Sequence, residues 1–217
     1  MKLNKRQIMS LAATYCKHGQ TLLSHPQCSK LLKNPEHETI GFFDIEASDL
    51  KASIGIMLSY CFKDNDTGKV YGRVITPEEI RSPEKDKWLV QECVEDMLRF
   101  HRIMHYYGKR YDVPFVRSRA MKHNLYFPPL GTIVQTDVYD IVRHKLKLHR
   151  SSMETACKFL GIISKTHGHN FEVWLQAITG DEKALDFIWK HNQEDVASLK
   201  KLWERLEFAT RKTECSI

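Results

Sequence analysis

Three blocks of apolar residues separated by polar turns open the main part of the chain, and each predicts a β-strand. They are IGFFDIE from Ile40, GIMLSYCFKD from Gly55 and KVYGRVIT from Lys69. Short apolar runs bounded by turn residues are typical of strands. The turn sequence NDTG at residues 65–68 separates the second block from the third. This arrangement favours hairpins, and therefore an antiparallel start to the sheet.

The chain after residue 81 alternates helical periodicity with two further short strands. Apolar side chains recur at helical spacing over residues 82–102, and IMHYYG then predicts a fourth strand. GTIVQTDVYDIVRHKL predicts a fifth strand that runs into a helix. Helices are also predicted over residues 113–124, 151–161 and 170–180, and the longest from about Asp181 to Ala209. The fold class is therefore α/β, with helices packed on a mixed five-stranded sheet.

The first 39 residues differ in character from the rest, and we interpret residues 1–39 as an appendage to a domain spanning 40–217. They are polar and basic, and they end in the stretch KNPEHET, which contains a helix-breaking proline. Two cysteines and two histidines form the spacing C-x-H-x₆-H-x₂-C, namely Cys16, His18, His25 and Cys28. This spacing offers two ligands at each end of a short loop and predicts one structural zinc ion. A small helix with buried cysteines and incidental histidines is the alternative.

Composition limits the classes of protein to consider. The chain has 217 residues, of which 42% are hydrophobic and 28% charged, which suits one domain with an appendage. No apolar run is long enough for a membrane span, and the six cysteines are scattered, so we expect a reduced, cytoplasmic and monomeric protein. The net charge of +6 suits a polyanionic partner such as nucleic acid, but many proteins without such a partner are equally basic.

Two carboxylates lie on alternate residues of the first predicted strand. Side chains alternate across a strand, so Asp44 and Glu46 point to the same side as Ile40 and Phe42. Like charges at this spacing, about 7 Å, repel each other, and burying them is unfavourable. A bound cation would relieve both effects. The alternative is that Asp44 caps a turn and Glu46 is solvated beyond the end of the strand.

Two further carboxylates and a histidine lie at comparable positions. Asp112 follows a strand and a glycine-containing turn at the start of a helix, where it would also suit an ordinary N-cap. Asp195 is four residues before Leu199 on the apolar stripe of the last helix, and His191 is one turn before it. His191 alone would be an ordinary helix residue. Four carboxylates in such positions indicate hard oxygen ligands for Mg²⁺ or Mn²⁺.

The stretches FFDIEAS, YYGKRYDVPF and HNQEDV, taken in order, resemble the three motifs of the DnaQ-like, or DEDD, 3′→5′ exonucleases of the ribonuclease H-like superfamily. The resemblance covers about residues 40 to 208 and is strongest to the proofreading domains of family B DNA polymerases and to YprB-like stand-alone members. It implies a ribonuclease H-like fold. It also implies that two Mg²⁺ or Mn²⁺ ions are held by Asp44, Glu46, Asp112 and Asp195.

The sequence departs from this family pattern at two positions. His191 occupies the place, four residues before the last aspartate, where the similar subgroup has tyrosine, and Tyr107 stands where asparagine is usual. The histidine subgroup places its histidine five residues before that aspartate. These departures bear on rate and substrate choice more than on the fold.

The resemblance implies a metal-dependent phosphodiester hydrolase that trims 3′ ends by a two-metal mechanism, with DNA favoured over RNA and His191 orienting or deprotonating the water. Single-stranded or 3′-ended nucleic acid would be the partner. The segment around Asp112 is basic and aromatic, and its members Lys109, Arg110, Tyr111 and Arg117 are candidates for backbone and base contacts. A solvated basic face is the alternative for these four. The alternative functions are an exoribonuclease and a non-catalytic nucleic-acid-binding module.

Overall fold

The computed structural model describes Thr21, residues 38–163 and residues 170–210. The predicted zinc ligands Cys16, His18, His25 and Cys28 lie outside the described residues, as does most of the predicted appendage. The zinc site and the domain boundary therefore stay predictions.

Five strands form one mixed sheet, which confirms the predicted fold class. The strands are β1 (Ile40–Ala47), β2 (Met57–Asp64), β3 (Val70–Val74), β4 (Arg102–His105) and β5 (Val134–Asp137). Their spatial order is β3-β2-β1-β4-β5. β1 pairs with β2, and β2 with β3, in antiparallel fashion, whereas β1 with β4 and β4 with β5 are parallel. Central strand β1 thus brings its carboxyl end beside those of β4 and β5, where ligands commonly bind in sheets of this kind.

Seven α-helices are described, and they cover both faces of the sheet. They are α1 (Pro77–Arg81), α2 (Lys87–Met97), α3 (Asp112–Lys122), α4 (Val138–Lys145), α5 (Met153–Phe159), α6 (Phe171–Ile178) and α7 (Glu182–Leu206), followed by a 3₁₀ turn over Glu207–Thr210. Helices α2 and α3 pack with Phe43 and Ile45 on one face. Helices α4, α5 and α7 pack with Phe42 on the other. The alternation of β1 therefore turns the side of Phe42, Asp44 and Glu46 toward α7.

Helix α7 is 25 residues long and crosses β1 and β2. Its buried stripe contains apolar residues from Ile188 to Leu206, and it also contains His191, Asn192 and Asp195. Polar groups inside an apolar stripe are expected to have partners. Here they face the carboxyl end of β1. The prediction of a helix over 181–209 is confirmed, with the α-helical part ending at Leu206.

Helix α1 is the element that the hydrophobic pattern does not predict. Five residues are too few to show a helical period. Its local signal is a capping box: the Thr76 hydroxyl accepts a hydrogen bond from Glu79 N, and Thr76 N donates to the Glu79 carboxylate. Among the described residues, no helix combines the length and apolarity needed to cross a membrane.

Candidate functional site

Glu46, His191 and Asp195 converge between the end of β1 and the middle of α7. His191 Nε2 lies 3.6 Å from Glu46 Oε1 and 3.7 Å from Asp195 Oδ2. One potential ligand atom from each residue lies within 4.8 Å of the other two. His191 and Asp195 are buried, and Glu46 is nearly so. Two carboxylates and one imidazole nitrogen form a donor set that fits a divalent cation.

Asp44 is oriented by a buried asparagine of α7. Asn192 Nδ2 donates a hydrogen bond to Asp44 Oδ2 at 2.7 Å, and Asn192 Oδ1 accepts one from Ser59 Oγ at 3.1 Å. Asn192 is fully buried and follows His191 directly in the chain. Asp44 is therefore oriented by α7 and does not cap a turn. The sequence places Asn192 on the inner stripe without assigning it a role, although a buried amide needs such partners.

Asp112 joins the site from the second motif. It is the first residue of α3, and its Oδ1 accepts a hydrogen bond from the backbone N–H of Ile45 at 3.3 Å. Ile45 lies between Asp44 and Glu46, beyond the last paired residues of β1 and β4. The side chain thus bridges α3 to β1, and no side-chain cap of α3 is formed. This geometry links all four predicted carboxylates to the end of one strand.

Burial raises the pKa of Asp112 to about 6, because the charged carboxylate is removed from water. The neighbouring His105 and the backbone donors at Ile45 and Asp112 lower it in part. A bound cation would favour the charged form in the same way and offset the unfavourable burial. The electrostatics of Asp112 therefore fit the role of metal ligand.

Gly108 allows Asp112 to approach the end of β4. A Cβ at this position would lie 2.6 Å from His105 Cγ and 2.7 Å from Asp112 Oδ2, which is too close for any real side chain. His105 is fully buried, with Nδ1 3.6 Å from Asp137 Oδ2. The glycine of YYGKRYD is thus required by packing beneath the carboxylate. Sequence reasoning noted the glycine-containing turn but did not assign roles to His105 or Asp137.

Two aromatic rings fix the imidazole of His191. The Trp174 ring meets it edge-on, with centroids 5.4 Å apart, and the Phe187 ring stacks on it at 6.1 Å. Trp174 comes from the short helix α6, which the sequence predicts as an amphipathic segment without a role in the site. These contacts hold Nε2 toward Glu46 and Asp195. His191 is therefore positioned by its neighbours as part of the site.

The four predicted nucleic-acid contacts take different places. Lys109 and Arg117 line a cleft of about 620 Å³ beside residues 130–135. Arg110 lies over the rings of two tyrosines, Tyr107 and Tyr139, beside another cleft. Tyr111 is half-buried, and its hydroxyl donates to Asp49 O at 3.3 Å. The four thus remain predictions, divided among separate surfaces.

Comparisons with known proteins agree with this architecture. The sequence model of the RNase H superfamily matches residues 41–207. The family B DNA polymerase from the hyperthermophilic archaeon Pyrobaculum calidifontis is similar in structure, with a TM-score of 0.63 at 15% sequence identity. The match covers 78% of this chain and 24% of the polymerase chain, and at this identity it shows a shared fold. A search of curated proteins finds no match. The predicted ribonuclease H-like fold is confirmed.

Proposed function

Because the chain belongs to the RNase H superfamily, we propose that it is a metal-dependent 3′→5′ exonuclease that hydrolyses phosphodiester bonds at the 3′ ends of single-stranded nucleic acid, with DNA favoured. The observation that carries this proposal is the convergence of Glu46, His191 and Asp195 at the end of β1, with Asp44 and Asp112 bound to the same place. A nuclease on this fold is the coarser statement that the superfamily supports.

Asp44, Glu46, Asp112 and Asp195 would hold the metal ions. Carboxylate oxygens are the ligands that Mg²⁺ and Mn²⁺ prefer, and clustering them without a cation would be unfavourable. When bound, two such ions would lower the pKa of a water molecule and neutralise charge on the phosphate and the leaving oxygen. Asn192 and the Ile45 N–H would then keep two of the ligands oriented.

His191 would orient the attacking water and accept its proton. Its Nε2 faces Glu46 and Asp195, so an atom placed among these three groups is within reach of the imidazole. An unperturbed imidazole has a pKa of about 6.5 and exchanges protons near neutral pH. The flanking rings of Trp174 and Phe187 would keep the nitrogen in place during turnover.

The test is incubation of the protein with end-labelled single-stranded DNA and RNA of one sequence, in Mg²⁺, Mn²⁺ or EDTA. We expect stepwise shortening from the 3′ end with release of nucleoside monophosphates in the presence of metal alone. Circular single-stranded DNA serves as a matched substrate without ends and should stay intact. Cleavage of the circle would show an endonuclease and would refute the proposed direction and mode of attack.

Two alternatives are decided by the same assay. Faster trimming of RNA than of DNA would make the protein an exoribonuclease. The presence of His191 and Tyr107, where the similar family has tyrosine and asparagine, favours considering a non-catalytic binding module. Binding of the labelled strands without hydrolysis in either metal would support that module.

A further inference from the structure

An open cleft of about 660 Å³ lies beside the carboxyl ends of β4 and β5. Its walls are aromatic and basic, and they comprise Tyr106, Tyr107, Tyr139, Arg143 and residues 151–153. Tyr107 directly precedes Gly108, the residue that contacts the Asp112 carboxylate. The cleft therefore adjoins the second motif of the candidate active site, although none of its lining residues is one of the proposed metal ligands.

One carboxylate organises the two central tyrosines of this cleft. Asp137 Oδ1 accepts hydrogen bonds from Tyr107 N at 2.7 Å and from Tyr139 N at 3.2 Å. Tyr107 has φ of 67°, a left-handed conformation that a bulky side chain rarely adopts. Strained backbone of this kind persists where the surroundings enforce it, and such residues cluster at functional sites.

The rings and guanidinium groups are arranged as a platform. The Tyr107 and Tyr139 rings meet edge to face with centroids 4.9 Å apart. Arg110 lies over both rings, and Arg143 Nη1 donates to the Tyr139 hydroxyl at 3.0 Å. The Tyr107 side remains 45% exposed even so. An exposed ring beside positive charge is the combination that binds an unpaired base and its phosphate.

A basic segment continues from the rim of the cleft. Residues 143–150, RHKLKLHR, carry four lysines and arginines and two histidines with no acidic residue. Arg143, Lys145, Lys147 and Arg150 are all exposed. The segment leads directly into residues 151–153, which line the cleft. A run of exposed cations that starts at aromatic rings suits the backbone of a single strand.

We propose that this cleft is a base-stacking subsite for single-stranded nucleic acid. One base of the strand stacks on Tyr107, and the adjoining phosphates contact Arg143 and the basic segment 143–150. The strand then reaches the carboxylates past Gly108. The inference rests on the proposed function for the direction in which the strand runs, but the binding itself requires neither metal nor hydrolysis.

The experiment measures binding in EDTA, so that no strand is cut. The anisotropy of a fluorescein-labelled oligothymidylate is compared with that of an abasic oligonucleotide of equal length. We expect Tyr107→Gly to weaken binding of oligothymidylate about ten-fold and to leave binding of the abasic strand unchanged. Tyr107→Phe should bind as the wild type does, because its ring still stacks. Tyr126→Leu, which replaces an exposed tyrosine outside the cleft, is the matched control and should bind normally.

Loss of folding does not explain the expected result. Glycine adopts the left-handed conformation freely, so Tyr107→Gly should melt at the same temperature as the wild type or higher. Arg143→Gln should weaken both strands and reduce the salt dependence of binding, whereas Arg81→Gln on helix α1 should not. Equal binding of both strands by the wild type, or unchanged oligothymidylate binding by Tyr107→Gly, would overturn the subsite. Base-dependent binding by a protein that does not trim would retain the subsite and refute the proposed function alone.

Discussion

Replacing Asp112 with asparagine should make the metal-free protein more stable. The carboxylate is buried, and burial raises its pKa from the ordinary 3.8 to about 6. Asparagine has nearly the same shape, and its Oδ1 can still accept the hydrogen bond that Ile45 N donates. The substitution therefore removes an unfavourable charge while keeping the contact that joins α3 to β1.

The size and the sign of this effect follow from the pKa. A difference between 3.8 and about 6, at about 1.4 kcal/mol per pKa unit, corresponds to about 3 kcal/mol. Because the folded protein binds this proton more tightly than the unfolded chain, the stabilising effect of protonation is present below the unfolded value. It is lost as pH rises toward 6. The advantage of Asp112→Asn should accordingly be small near pH 4 and reach its full size above about pH 7.

Thermal unfolding in EDTA, followed by circular dichroism over this pH range, measures the difference. A gain of about 3 kcal/mol corresponds to a melting temperature roughly 6–12 °C higher for a chain of this size. Added Mg²⁺ should raise the melting temperature of the wild type more than that of the variant, since the variant lacks a ligand. A variant that is less stable than the wild type at pH 8 in EDTA would refute the reasoning. So would a difference that does not change with pH.

Three other substitutions or measurements test separate parts of the account. His191→Ala should lower the trimming rate about 10²–10⁴-fold because the group that handles the water is lost, and His191→Tyr should restore part of it; an unchanged rate in single-turnover assays would make this residue a bystander. Asn192→Ala removes the donor to Asp44 and should lower activity about 10–100-fold, with Asn65→Ala in the β2–β3 turn as the control; equal rates for both variants would show that the donor is dispensable. Elemental analysis of protein purified without added metal should find one zinc ion per chain. Less than about a tenth of an equivalent, with an unchanged melting temperature for Cys16→Ser, would remove the predicted zinc site.

Local periodicity predicted the parts of the site that depend on one element. Alternation along β1 placed Asp44 and Glu46 on one face, and the structure turns that face toward α7. Helical spacing placed His191 and Asp195 on the buried stripe. These relations are set by residues a few positions apart, so a sequence pattern contains them.

Contacts between distant segments were beyond such patterns. The hydrogen bond from Asn192 to Asp44 joins α7 to β1, and only the packing of helix on sheet reveals it. Arg119 looks in the sequence like one more basic residue of the segment after Asp112. The structure buries Arg119 against Asp86, at the start of α2, where its Nε donates to Asp86 Oδ2 at 2.8 Å. Nothing in the spacing of a single arginine distinguishes a buried ion pair from a solvated charge.

The central claim is that the carboxylates at the end of β1 hold the metal ions for 3′-end hydrolysis, and Asp44→Ala tests it most directly. Wild-type protein, Asp44→Ala and the control Asp66→Ala, which alters an exposed turn carboxylate, are incubated with 3′-labelled single-stranded DNA in Mn²⁺. We predict that wild type and Asp66→Ala release labelled nucleoside monophosphate while Asp44→Ala, equally well folded by circular dichroism, releases none. Release by Asp44→Ala at the wild-type rate would contradict the assignment of the active site.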